Sequence, residues 1–207
     1  DCFIEYAKAS SQDILVKITV HNRGPESHII HVLPHIWFRN FWKHNPKFTR
    51  PLISKMGEGE LCTKSKRNGE FHYYHEGGSA LLCENETNNE RIYGFKNSGF
   101  YVKDGINDHV VAGASSVNPK ASGTKAAIWY SDEIESGGSR VYRTRLSKRK
   151  NADPWGDFNE IFEVRKIETD IFYNNLTPKS IYDDQKALLR NALGGLLWTK
   201  QYYYLDA

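Results

Sequence analysis

Residues 1–150 of this sequence read as an antiparallel β-sandwich, and residues 151–207 as a linker followed by α-helices. Three observations lead there. Short segments of alternating or β-branched apolar residues recur up to residue 147, punctuated by Gly, Asn and Pro, the pattern of a sandwich or barrel rather than of repeating βαβ units. The pattern then breaks at Lys148-Arg149-Lys150-Asn151-Ala152-Asp153-Pro154, a polar linker ending in proline. Beyond it, apolar residues recur at helical spacing.

The elements follow in order. Cys2 to Ala7 is a short strand, and Ile14, Val16, Ile18 and Val20 alternate along a second that stops at His21-Asn22-Arg23-Gly24-Pro25. Ser27 to Asn40 is a third; Pro34 cannot donate to a ladder, so this strand is bulged there or lies at an edge. Residues 43–70 are polar, with few apolar anchors, and predict a long loop or weak hairpin; loops of that length are commonly functional. Further strands are predicted at Phe71–Tyr74, Ala80–Glu84, Arg91–Phe95, His109–Val111, Thr124–Ile134 and Arg140–Leu146, with a turn at Ser136-Gly137-Gly138-Ser139. Asp157-Phe158-Asn159-Glu160 has capping-box chemistry. Phe158, Ile161, Phe162, Ile167, Ile171 and Phe172 then mark a helix ending near Leu176, and a second runs from Tyr182 with Leu188, Leu189, Ala192, Leu193, Leu196 and Leu197 on its apolar side.

Composition narrows the function classes. The 207 residues are comfortable for one domain and tight for two. Lys and Arg number 28 against 25 Asp and Glu, a net charge of +3 that is too balanced for a nucleic-acid partner to be expected. Phe, Trp and Tyr make up 13%, which a disordered chain would lack. No apolar stretch approaches the ~18 residues of a membrane span. Cys2, Cys62 and Cys83 have neither CxxC nor Cys/His ligand spacing, so buried or incidental thiols are expected and no metal site. The triplets Asn85-Glu86-Thr87 and Asn175-Leu176-Thr177 leave a secretory location open. A start at Asp1 and a stop just after an aromatic run are expected of a piece of a longer chain.

Three constellations could carry chemistry. Gly194-Gly195 inside a helix costs about 1 kcal/mol per residue relative to Ala, so a close neighbour or ligand is expected beside the pair. Directly after it, Trp198, Gln201 and Tyr202 share one helical face, with Lys200 nearby. Flat rings beside an amide and an amine suit a sugar, whose ring faces stack and whose hydroxyls take hydrogen bonds; the same rings also serve as core with polar tips at the rim. Glu84 and Glu86 would share one face of a strand, as a glycosidase pair or as a solvated pair. Trp37-Phe38-Arg39-Asn40-Phe41-Trp42 sets Arg39 among four rings, a stacking site at a domain seam. Gly123-Thr124-Lys125 lacks the spacing of a phosphate loop.

Asp104-Gly105-Ile106-Asn107, Val117-Asn118-Pro119, Gly123-Thr124-Lys125-Ala126-Ala127, the Glu84–Asn88 run, Trp37–Trp42 and Leu197-Trp198-Thr199-Lys200-Gln201-Tyr202-Tyr203 together resemble the large glucosidase-like proteins related to glycoside hydrolase family 63, the family of processing α-glucosidase I. The resemblance implies a supersandwich-like N-terminal β-sandwich followed by the start of an (α/α)6 barrel. It also implies hydrolysis of α-glucosidic bonds of an oligosaccharide with inversion, without metal or organic cofactor. The acid and base carboxylates of such enzymes come from the barrel, and here would lie downstream of Ala207. Proximity to substrate is implied for Trp198, Lys200, Gln201 and Tyr202, and a catalytic role for no residue of this sequence. The expectation from another class is a non-catalytic carbohydrate-binding or structural sandwich.

Overall fold

A computed structural model describes residues 1–43, 45 and 47–199. The chain divides into two units, Asp1–Phe158 and Asn159–Ala207. Among the described residues the first unit holds two antiparallel sheets, and helices follow them, as the sequence predicts.

The larger sheet has seven strands: β1 (Cys2–Ser10), β2 (Asp13–His21), β5 (Leu52–Gly57), β6 (Glu60–Ser65), β7 (Gly69–His75), β9 (Ser122–Gly123) and β11 (Ser139–Ser147). Their spatial order is β1-β2-β11-β7-β6-β5-β9. The smaller sheet is built on β10 (Lys125–Ile134), flanked on one side by β3 (His28–Val32) and β4 (His35–Trp37) and on the other by β8 (Ser79–Cys83). β3 and β4 are one interrupted strand: Tyr130 pairs with Val32 and Ala127 with His35, and Ile128 N–H reaches the Pro34 carbonyl at 3.1 Å. Proline breaks the ladder without shifting its register.

Alternation decides what each face buries. Ile18, Val20, Ile53, Leu61, Tyr73 and Tyr142 of the larger sheet meet Leu82, Ala126, Ile128, Tyr130 and Ile134 of the smaller one, the central core of the sandwich. The intervening residues Leu81, Cys83 and Ala127 face the other way and pack on Ile106. The smaller sheet is thus buried on both sides at Leu81–Cys83 and Ala126–Ile128, while its β3 part is open, with Ile29 67% exposed.

Ile106 belongs to α2 (Gly105–Ala112), where the sequence predicts a strand at His109–Val111; Arg91–Phe95 likewise falls in α1 (Asn89–Tyr93) and the residues just after it. Capping overrides β-propensity at both places. The Asn88 side chain accepts the Arg91 N–H at 3.1 Å, and Gly94 and Gly113 close the two helices in the left-handed conformation. Of the alternatives for the 43–70 stretch the hairpin holds: β5 and β6 pair within it, and they bury Ile53, Leu61 and Cys62 in the core rather than forming a weak one. Glycine is required where β9 passes β8: a Cβ on Gly123 would lie 2.2 Å from the Cys83 carbonyl oxygen.

The outward face of β11 carries a buried charge. Arg145 is only 3% exposed and sits in register between Leu15 and Tyr74. Its Nε and Nη2 donate to the two Asp13 carboxylate oxygens at 2.9 and 2.8 Å. Nη1 donates to Asp157 Oδ1 at 2.5 Å and to the Pro154 carbonyl at 2.9 Å. The linker after β11 is therefore folded onto the sheet, and Phe158 behind it is fully buried. The Asp157 carboxylate, expected as a helix cap, is instead engaged by this guanidinium.

In the second unit, α4 (Asp183–Trp198) returns beside α3 (Phe158–Leu176, whose first residue belongs to the sandwich unit). Arg190 donates to Asp170 at 2.6 Å and lies 4.9 Å over the Tyr173 ring. Gly194 also neighbours Tyr173, but a Cβ on Gly195 would meet nothing within 4 Å, so close packing is met for one glycine of the pair and not for the other. Ile167, Ile171, Leu188 and Leu196 are all exposed.

Two predictions follow from these burials. Burial pushes the Cys83 thiol up to about 12 and raises that of Cys62, whereas Cys2 is exposed. An aromatic disulfide reagent at pH about 8 should therefore titrate one thiol in the native protein and all three in denaturant. Arg145→Met leaves Asp13 unpaired beside the sheet, and a loss of about 3 kcal/mol is expected in chemical denaturation at neutral pH. The Arg145 guanidinium holds the Asp157 carboxyl below its usual range. That stability is present above the unfolded carboxylate value of about 4 and is lost as pH falls through the lower folded value. The acid limb of a stability-versus-pH curve should consequently be shallower in Arg145→Met.

Candidate functional site

The polar run after β8 is a clasp. Glu84 pairs with Arg50 and accepts from Thr124 Oγ1 at 2.8 Å. The Asn85 backbone N–H donates to Thr124 Oγ1 at 2.8 Å, and its side chain donates to the Phe38 carbonyl at 2.8 Å. Asn40 Nδ2 returns to the Asn85 carbonyl at 3.1 Å, and Lys43 Nζ reaches Glu86 at 3.1 Å. Three consecutive residues thus hold the 38–50 loop at both ends. β8 ends at Cys83, so the strand face on which Glu84 and Glu86 were expected to pair does not extend to them. Each carboxylate has a cation of its own.

The clasped loop forms one wall of a groove of about 720 Å³; the turn between β6 and β7 forms the other. The rings of Trp37, Phe41, Trp42 and Phe48 line it. Phe41 and Phe48 stack with centroids 5.4 Å apart, and Arg39 lies 4.9 Å over the Phe41 ring. The stacking expected of Arg39 therefore occurs, but inside the sandwich unit rather than at a seam. Trp37 and Phe48 stay open, at 55% and 44% exposure. Trp42 Nε1 is buried without a hydrogen-bond partner among the described residues, a state that costs about 1–3 kcal/mol unless a ligand or water relieves it. Arg39, Lys47, Lys66 and Arg67 also line the groove, and none of the described lining residues is Asp or Glu. Sequence reasoning reached Trp37–Trp42 and missed Lys66 and Arg67, which the β6–β7 turn brings across from a distant stretch of chain.

A second polar cluster lies over the smaller sheet. Arg91 bridges Asp104 at 2.7 Å and Asp108 at 2.5 Å, and Asn88 donates to Asp104 at 3.0 Å. Its groups satisfy one another and tie α1 to α2. No group of three or more His, Cys, Asp or Glu among the described residues is placed to hold a metal, and no described helix is long and apolar enough to cross a membrane.

Of the residues expected near a sugar, Trp198 ends α4 and is 87% exposed. Lys200, Gln201 and Tyr202 lie outside the described residues.

The fold and groove define a β-sandwich with an aromatic, cation-rimmed cleft, followed by helices. No protein-family model matches the chain. The chain is similar to the uncharacterized protein YMR196W of Saccharomyces cerevisiae, at 27% identity over 245 aligned positions that take in 98% of this chain and 22% of that protein. It thus spans about a fifth of the length of this relative.

If the clasp holds the loop, Asn85→Ala should cost about 1–2 kcal/mol. Backbone amides around Phe38–Phe41 should then exchange faster, read by hydrogen–deuterium exchange, while those of β5 and β6 keep their protection.

Proposed function

We propose that this chain is the β-sandwich and opening helices of a glycoside hydrolase of the family 63 type, whose intact form hydrolyses α-glucosidic bonds of oligosaccharides with inversion. One observation carries the reading: five of the six runs behind the resemblance meet at one end of the smaller sheet. Thr124 of the Gly123–Ala127 run binds Glu84, and its carbonyl accepts the Phe38 N–H at 3.0 Å. Asn85 binds Phe38, Asn88 binds Asp104, and Val117 packs with Ile106 and Ala127. Residues that support one another in space are what a shared structural frame requires. The order of sandwich then helices agrees with the reading.

In that enzyme a carboxylic acid protonates the leaving oxygen while a carboxylate activates water on the opposite ring face. Both groups are assigned to the protein beyond Ala207. The role left to the present residues is to frame the barrel and, at Trp198, Lys200, Gln201 and Tyr202, to approach the substrate. The open rings of Trp37 and Phe48 favour a second reading, a sandwich that binds carbohydrate without cleaving it.

The intact protein should release glucose from α-linked gluco-oligosaccharides, with β-glucose appearing first in a proton NMR time course. Neutralising either downstream catalytic carboxyl should lower the rate by about a thousandfold or more. Absence of glucose release with retained saccharide binding selects the second reading.

A further inference from the structure

We propose that the groove between the 38–50 loop and the β6–β7 turn is a binding site for a phosphorylated saccharide, the rings of Trp37 and Phe48 receiving the sugar and the Arg39, Lys47, Lys66 and Arg67 cluster receiving the phosphate. The sugar half rests on the carbohydrate reading above; the anion half rests on the groove alone.

Four exposed cations line a cavity that has no Asp or Glu among its described lining residues. Ion pairs elsewhere on the sandwich join Lys17 to Glu5, Lys64 to Glu70, Arg143 to Glu76 and Arg145 to Asp13. Lys47, Lys66 and Arg67 have no ion-pair partner among the described residues, and Arg39 has only the Phe41 ring. Like charges gathered on an apolar floor repel one another unless an anion joins them. A phosphate fits that demand, since guanidinium and ammonium groups are its usual ligands. The cavity volume lies within the ~300–1,000 Å³ range of small-ligand sites. Stacking of Phe41 on Phe48 and of Arg39 on Phe41 fixes the floor before a ligand arrives, while the Trp37 face remains free. A long polyanion is disfavoured by the near-balanced charge of the whole chain, +3 in 207 residues.

The test is a titration of the full chain with glucose 6-phosphate, inorganic phosphate, glucose and adenosine monophosphate, followed by tryptophan fluorescence and calorimetry. Glucose 6-phosphate should bind saturably, at least about tenfold more tightly than either glucose or phosphate alone, and weaken as salt rises. Lys66→Glu with Arg67→Glu, on an exposed turn, should weaken glucose 6-phosphate and phosphate alike by about tenfold or more. Trp37→Ala should weaken glucose 6-phosphate but leave phosphate unchanged. The proposal is overturned by no saturation up to about 10 mM, by equal affinity for phosphate alone, by tighter binding of the adenosine compound, or by indifference to the charge reversals. Hydrolysis by the intact protein with an empty groove would sink this assignment and spare the enzyme; binding without hydrolysis would do the reverse.

Discussion

A strand segment buried on both faces has no freedom of register, and residues 126–128 of β10 are that segment. Ala126, Ala127 and Ile128 are fully buried, and successive side chains enter different cores. A slip of one residue would drive Lys125 or Trp129 into the sandwich and carry Ile128 out of the central core. Because β10 pairs with β3, β4 and β8, its placement sets theirs. Its entry point does the same for the groove: Thr124, just ahead of the strand, anchors Glu84 and Asn85, and these anchor the aromatic loop. The site is a remote product of how the smaller sheet is packed.

Arg145 imposes a comparable constraint on the other side of the sandwich. A guanidinium placed among Leu15, Tyr74 and Phe158 survives only with its hydrogen-bonding capacity filled, and Asp13, Asp157 and the Pro154 carbonyl fill it. The linker therefore leaves the sheet along one path, although its own sequence is polar and unpatterned.

Alternation along Ile14–Val20 and the break at Pro34 were readable because both are local: one period and one missing donor. The α1 and α2 helices were hidden by short apolar runs that suit either structure, and their caps, Asn88 with Gly94 and Gly113, held the better signal. β5 and β6 read as no more than a loop or weak hairpin for a different reason. Their few apolar residues, Ile53, Leu61 and Cys62, gain meaning only once the opposite sheet is there to cover them. The groove combines both cases. Trp37–Trp42 stands out in the sequence, but Lys66 and Arg67 look like any solvated turn until pairing of β6 with β7 carries them to the rings.

The pairing of β2 with β11 has a temporal side. Asp13 and Arg145 are 132 residues apart, and Val32 waits for Tyr130 in the same way. Both sheets are completed by the adjacent strands β10 and β11, so neither can close while that late segment is absent. During synthesis the β1–β2 hairpin and the β3–β4 strand must remain without their neighbours until almost the whole sandwich has left the ribosome. Such high contact order slows folding and prolongs the exposure of strand edges. The exposed Glu5 and Lys8 on β1 place charges on the strand that would otherwise recruit another chain during that interval.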